Sequence, residues 1–155
     1  TGVQTCALPI CISYTVLMAL LLACKAVVAA PSYLNAGSPL PADMPFSAAV
    51  KQGDVLYLSG QIGVLPGTRT VAPGGIRAEA EQSLRNIESV LVANGRTLHD
   101  LIRCTVMLDD IAEWPIFNEV WSAMLERPYP ARSAFATNGL ALGARVEVEC
   151  TASAL

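Results

Sequence analysis

Four polar segments stand out because they interrupt sequence that is otherwise apolar. They are Ser59-Gly60-Gln61 at the end of a predicted strand, Asn118 in a predicted helix, Arg132 after Pro130-Ala131, and the alternating run Arg145-Val-Glu-Val-Glu-Cys150. Together they offer carboxylates, two guanidinium groups, two amides and a hydroxyl, which bind polar ligands and exchange protons. The chemistry open to this set is polar binding and acid–base catalysis.

Each segment also has a simpler structural interpretation. Strict alternation places Glu147 and Glu149 on the same face of a strand, so a sheet edge or a solvent-facing surface explains both, and the spacing alone favours that interpretation. Arg132 fits a surface cation that begins a strand, and Asn118 fits a solvent-facing helix position. Gly60 fits a bulge. Taken one at a time, these residues do not identify a function.

Composition and motifs exclude several function classes. The sequence has no nucleotide-binding loop, zinc motif or nucleophile elbow, and its single histidine, His99, lies in a polar turn. The net charge is −3 and the ten Lys and Arg residues are scattered, so we predict no nucleic-acid partner. Cys104 and Cys150 fall in apolar strand patterns, which predicts inert buried thiols rather than a metal or redox pair.

The N-terminus differs in composition from the rest of the chain. Residues 1–30 hold 22 hydrophobic residues and one charge, Lys25. Residues 1–10 resemble a translated sequencing adapter and are left out of the predicted fold. Residues 12–30 resemble the apolar core of a signal peptide with a small-residue cleavage site, although Cys24 leaves a lipoprotein site open. We expect export to the periplasm or the exterior and no stable membrane association after cleavage, with a cytoplasmic protein as the alternative.

The remaining sequence predicts one domain over 46–155, after an irregular, proline-rich lead-in over 31–45. Helical spacing of apolar residues is found at Ile76, Ala80, Leu84, Ile87 and Leu91, and again at Ile116, Val120 and Met124. Strands are predicted over 46–50, 55–62, 101–108, 133–138 and 145–152. Two helices cannot cover both faces of such a sheet. We therefore predict an α+β fold with both helices on one face, which leaves the other face for a second subunit.

Taken together and in order, these segments resemble the Rid family, the reactive intermediate deaminases also called YjgF-like proteins or L-PSP endoribonucleases. The resemblance covers about residues 45–153. Its most specific part is Pro130-Ala-Arg-Ser133, followed by Glu147 within Val146-Glu-Val-Glu149. Three further segments support it: the run from Val50 to Gln61, Cys104-Thr-Val-Met-Leu-Asp109 and Phe117-Asn118-Glu-Val120.

The resemblance implies a chorismate-mutase-like α+β fold that assembles as a homotrimer, with sites in the clefts between subunits. It implies hydrolysis of the enamine or imine of a 2-oxo acid, such as 2-aminoacrylate, to the 2-oxo acid and ammonia, with no metal or organic cofactor. Arg132 would hold the substrate carboxylate and Glu147 would orient or deprotonate water. The other substrate-binding residues would be Phe46, Ser59, Gly60, Asn118 and Ser133.

Two departures from the family pattern leave alternatives open. Phe46 stands where members with deaminase activity usually carry tyrosine, and Ala134 stands where cysteine is frequent. The loss of the tyrosine hydroxyl supports a non-catalytic binder of carboxylate ligands as the alternative function. The family's older name implies RNA cleavage, but an acidic chain with no basic stripe argues against strong RNA binding.

Overall fold

The computed structural model describes residues 29–155, so the predicted adapter residues and most of the predicted signal peptide lie outside the described part. This part forms seven strands and two α-helices. The strands are β1 (Ser32–Leu34), β2 (Ala49–Gln52), β3 (Val55–Leu58), β4 (Gln61–Ile62), β5 (Leu101–Leu108), β6 (Ala131–Ala136) and β7 (Val146–Ser153). The helices are α1 (Gly75–Ala93) and α2 (Trp114–Met124). Neither helix is long and apolar enough to cross a membrane.

The strands form one mixed sheet in the order β1-β2-β3-β7-β5-β6, and β4 pairs with β7 beyond the end of β3. Only β5 and β6 pair in parallel, since α2 connects them; the other pairs are antiparallel. Both helices pack on one face and enclose the core with the inward side chains of β3, β5 and β7. The opposite face, called here the open face, exposes Tyr57 by 49% and Phe135 by 48%. The predicted α+β layer is confirmed.

Helix α1 follows its predicted pattern with one exception. The five predicted core residues from Ile76 to Leu91 are all buried. Its C-terminus is closed by Gly95 in the left-handed region, at φ 72°. A charged residue is expected on the solvent side of an amphipathic helix, but only 6% of Glu79 is exposed. Its carboxylate accepts a hydrogen bond of 2.7 Å from the backbone N–H of Arg145. Helical periodicity cannot predict this contact, because Arg145 is distant from Glu79 in the sequence.

The buried face of helix α2 agrees in part with its apolar spacing. Val120 is buried as predicted and Met124 packs against the core, but Ile116 is 37% exposed. The deepest positions are Phe117 and Trp121, at 0% and 4% exposure. Both aliphatic and aromatic residues recur at helical spacing here, and the larger rings occupy the interior because they bury more apolar area.

The strand predictions need several corrections. The predicted lead-in over 31–45 contains β1, and the first predicted strand begins only at Ala49. The predicted strand over 55–62 is broken at Ser59-Gly60 into β3 and β4. Strict alternation over 101–108 would place Ile102 on the same face as the buried Cys104, but a register shift between Leu101 and Arg103 leaves Ile102 50% exposed.

Cys104 and Cys150 are joined by a disulfide, so the prediction of two inert thiols is wrong. The two residues are 46 positions apart in the chain but lie directly opposite each other in the β5–β7 pairing, on the helix-covered face. Alternation assigned each cysteine to a buried face. It could not give the register between the strands, and the register is what brings the sulfur atoms together.

Candidate active site

Glu147 lies near the start of β7, between Met107 of β5 and Ile62 of β4. Its neighbours Val146 and Val148 are fully buried beneath the helices. Alternation along the strand therefore places Glu147 on the open face. The sheet-edge interpretation is wrong, because β7 is paired on both sides, whereas the solvent-facing interpretation holds for Glu149, which is exposed.

The carboxylate of Glu147 packs directly against Gly60, in the break between β3 and β4. A Cβ atom at position 60 would overlap the Glu147 carboxyl group. Only glycine lets the carboxylate approach the backbone this closely. Gly60 therefore fixes one side of the space that the carboxylate occupies.

Buried polar side chains of α1 hold this irregular segment in place. Ser83 donates through Oγ to the carbonyl of Gln61 at 2.6 Å. Asn86 donates through Nδ2 to the carbonyls of Ile62 and Val64, both at 3.0 Å. Where a strand segment is not regularly paired, its buried carbonyl groups still need hydrogen-bond donors, and these side chains supply them. We call Ser83 and Asn86 the polar clamp.

Around Glu147 opens a cleft of about 510 Å³, called here the Glu147 cleft. Its walls are mostly apolar and include Phe46, which is 44% exposed. At its rim Arg69 and Asp43 form an exposed ion pair of 2.9 Å. The other apolar wall residues include Leu40, Met44, Ile62 and Leu142.

The cleft raises the pKa of Glu147 above the ordinary range of a glutamate. The larger cause is burial, which removes water from the charged form, and the smaller is repulsion from Glu149 on the same face. A carboxylate with a raised pKa is a better proton acceptor once it is ionised.

Arg132 lies on the other side of the sheet. In the parallel β5–β6 pairing it is opposite Cys104, whose side chain points towards the helices. Its Nη2 donates to Oδ1 of Asn118 on α2 at 2.6 Å. Arg132 also lines a second cleft of about 480 Å³, the Arg132 cleft, with Ile111, Trp114, Pro115 and Ala134 among the other lining residues.

Three aromatic rings on one face of α2 surround the guanidinium. Its central carbon lies 4.5 Å from the ring centroid of Trp114, 5.6 Å from that of Phe117 and 4.7 Å from that of Trp121. We call these three residues the aromatic ridge. Nη1 of Arg132 is buried and has no hydrogen-bond acceptor among residues 29–155. Burial lowers the pKa of Arg132 from its ordinary value.

The predicted site residues thus separate into two groups. Phe46 and Gly60 lie with Glu147, and Asn118 lies with Arg132. Within residues 29–155 the sheet separates the two groups, and neither the Glu147 cleft nor the Arg132 cleft contains both charged residues.

Two other predicted binding residues have different surroundings. The Ser59 hydroxyl donates to the carbonyl of Ser47 at 2.7 Å, which ties the end of β3 to the segment before β2. Ser133 lies on the open face, where its hydroxyl accepts from Arg103 at 3.4 Å. Neither lines either of these clefts.

The sequence interpretation overlooked the aromatic ridge. Its members recur at intervals of three and four, which places them on one side of a helix. That spacing could have identified the ridge. It could not have shown that an arginine from a strand lies on the rings.

Comparison with known proteins gives matches over most of the chain. The sequence model of the family described as Endoribonuclease L-PSP matches residues 37–154. The chain is 35% identical over 108 residues to the 2-iminobutanoate/2-iminopropanoate deaminase of Mus musculus, covering 70% of this chain and 80% of that protein. It is 33% identical over 109 residues to the chloroplastic Reactive Intermediate Deaminase A of Arabidopsis thaliana, covering 70% of this chain and 58% of that protein.

Solved structures give the same picture. The structure of RidA from an Antarctic Psychrobacter species superposes with a TM-score of 0.74 at 35% identity, covering 79% of this chain and 98% of that one. The structure of Escherichia coli TdcF with bound serine superposes with a TM-score of 0.73 at 28% identity, with the same two coverages of 79% and 98%.

Proposed function

Because this chain belongs to the Rid family, also called YjgF-like or L-PSP, we propose that it hydrolyses enamines and imines of 2-oxo acids, of the 2-aminoacrylate type. The products are the 2-oxo acid and ammonia. Relatives of about 35% identity named as 2-iminobutanoate/2-iminopropanoate deaminases support this reaction. The observation that carries the proposal is the Glu147 carboxylate, which lies against Gly60 in a largely apolar cleft and has a raised pKa.

The residues account for each step. Glu147 accepts a proton from water as the water oxygen bonds to the imine carbon and the C=N electron pair moves to nitrogen. Glu147 then returns this proton to the nitrogen, which gives an amino group beside the new hydroxyl. The carbonyl of the 2-oxo acid forms as the C–N bond breaks, and the hydroxyl proton goes to the nitrogen, which leaves as ammonia. An enamine enters the same sequence after it tautomerises to the imine. Arg132 holds the substrate carboxylate, a suitable role because the guanidinium stays charged at every working pH. Most of the rate enhancement comes from positioning and from one proton acceptor.

The separation of Arg132 from Glu147 supports a shared site. One chain supplies the Arg132 cleft and a second supplies the Glu147 cleft, so we propose a homotrimer with sites between subunits. The open face supports assembly, because it exposes Tyr57 and Phe135 on the side of the sheet that neither α1 nor α2 covers. TdcF, which binds serine in its solved structure, shows that a relative takes a small ligand with a carboxylate.

Mixing two inactive variants tests the reaction and the shared site together. Imines of 2-oxo acids are generated with an amino-acid oxidase and their decay is followed, with residues 31–155 as the enzyme. Arg132→Ala and Glu147→Gln should each lose the acceleration of decay. When equal amounts are unfolded and refolded together, about a quarter of the sites combine an intact Arg132 with an intact Glu147 from another chain, so about a quarter of the activity should return.

The outcomes are separable. If the wild type does not accelerate decay but binds 2-oxo acids, the protein is a binder and the deaminase proposal fails. If the single variants are inactive and the mixture stays inactive, the site is not shared. A monomer by light scattering would also contradict the shared site.

We also propose that the protein is exported. The Cys104–Cys150 disulfide supports this, because disulfides persist in oxidising compartments and are rare in the cytoplasm. A fusion of the whole chain to an alkaline phosphatase reporter, which is active only after export, tests it. An inactive reporter in cells that accumulate the fusion would favour the cytoplasmic alternative.

A further inference from the structure

We propose that the aromatic ridge of α2, and Trp114 in particular, positions the Arg132 guanidinium to receive the substrate carboxylate. This inference rests on the proposed function, since it gives Arg132 a ligand. Trp114, Phe117 and Trp121 are positioning residues in this proposal. They act on the substrate through the arginine.

The surroundings of Arg132 show why the rings are needed. Asn118 accepts one hydrogen bond from Nη2, while Nη1 is buried without an acceptor among residues 29–155. A buried, unpaired donor on a cation is costly unless something replaces the lost water. Here the faces of the ridge replace it, because the negative face of an aromatic ring attracts a cation within about 6 Å.

The ridge also fixes where the cation lies. Rings at 4.5 and 4.7 Å and a single hydrogen bond of 2.6 Å restrain a long side chain that otherwise samples many rotamers. The guanidinium is less hydrated than it would be on an open strand, so its attraction to a carboxylate in the Arg132 cleft is strengthened. Trp114 lines this cleft as well, so one ring contacts both the cation and the space for the ligand.

Trp114 is the informative position to vary because it is only half-buried. We expect Trp114→Leu, which keeps apolar bulk and removes the ring, to raise KM for 2-iminobutanoate and Kd for 2-oxobutanoate about tenfold, with kcat changed less than twofold. Trp114→Phe should restore most of the affinity. Ile116→Ala, on the other side of α2, is the matched control and should leave both constants unchanged.

A double-mutant cycle separates positioning from packing. In an Arg132→Met background, Trp114→Leu should have no further effect on the Kd of 2-oxobutanoate measured by calorimetry. A merely structural tryptophan would weaken binding equally in both backgrounds and would not be rescued by phenylalanine. Circular dichroism and light scattering confirm that each variant keeps its fold and assembly before binding is measured.

Failure of this proposal is distinguishable from failure of the proposed function. Unchanged binding by Trp114→Leu, with wild-type deamination intact, overturns the role of the ridge alone. If the wild type binds 2-oxobutanoate through Arg132 and Trp114 but hydrolyses no imine, the ridge proposal stands and the deaminase proposal fails. Wild-type protein that binds no 2-oxobutanoate contradicts the ligand role of Arg132, and the ridge proposal with it.

Discussion

The two clefts hold their charged residues by different means. Glu147 is placed by a glycine without a side chain and by backbone that the polar clamp secures. Arg132 is placed by aromatic rings and one amide oxygen. The difference follows from the chemistry proposed for each residue. A proton acceptor must take up and release a proton, and a raised pKa helps it to do so. The residue that binds the substrate carboxylate must instead stay positively charged. A guanidinium stays charged even where aromatic rings replace part of its hydration.

Removing the proton acceptor should have the largest effect. We expect Glu147→Gln to lower kcat by roughly 10² to 10⁴, the usual contribution of a general base, while Kd for 2-oxobutanoate changes little because Arg132 is intact. Steady-state kinetics and calorimetry on the same preparation measure both quantities. If affinity for 2-oxobutanoate falls as much as kcat, then Glu147 contributes to ligand binding, and the assignment of binding to Arg132 and proton transfer to Glu147 is wrong.

Filling the space beside the carboxylate should have the next largest effect. In Gly60→Ala the new methyl group overlaps the Glu147 carboxyl group, so the carboxylate must move. We expect kcat to fall by about 10- to 100-fold, since a displacement of about 1 Å is enough for such a loss. Ser59→Ala is the neighbouring control and should retain most activity. Equal losses in both variants would indicate that the segment as a whole has shifted.

The polar clamp should matter for stability as well as for the site. Asn86→Ala leaves the carbonyl of Val64 without its side-chain donor, while the carbonyl of Ile62 keeps the backbone N–H of Val64 as a donor. We therefore expect the free energy of unfolding to fall by about 1 to 3 kcal/mol in urea denaturation. Gln82→Ala removes only a partly buried hydrogen bond to Asn86 and serves as the control. An Asn86→Ala variant as stable as the wild type would mean that the clamp is dispensable.

The smallest expected effect is a shift in pH dependence. Glu147 accepts a proton only when ionised, so its raised pKa sets an acid limb of kcat/KM above the pH expected for an ordinary glutamate. Glu149→Gln removes a repulsive negative charge, which lowers the pKa of Glu147 and moves the limb to lower pH. The pH profile of Kd for 2-oxobutanoate should be the same in Glu149→Gln as in the wild type. If the acid limb of kcat/KM does not move in Glu149→Gln, a group other than Glu147 causes that limb.

Local patterns predicted much of the fold, whereas Arg132 and Glu147 were selected as site residues by the resemblance to the Rid family and not by their spacing. The apolar spacing of α1, the span of β5 and the alternation of β7 depend on neighbours in the chain, and the structure agrees with them. The disulfide, the inward position of Glu79 and the rings around Arg132 depend on strand register and helix rotation. Those are set by contacts between distant segments, so sequence periodicity cannot provide them.

One sheet separates Arg132 from Glu147, and this has a consequence for how the proposed enzyme is regulated. In the proposed shared site, each chain carries two half-sites, and a complete site exists only where chains meet. Specific activity then depends on protein concentration. Below the dissociation constant of the assembly, specific activity falls on dilution although every chain remains folded. Substrate would oppose that loss, because a ligand held by two chains favours their association.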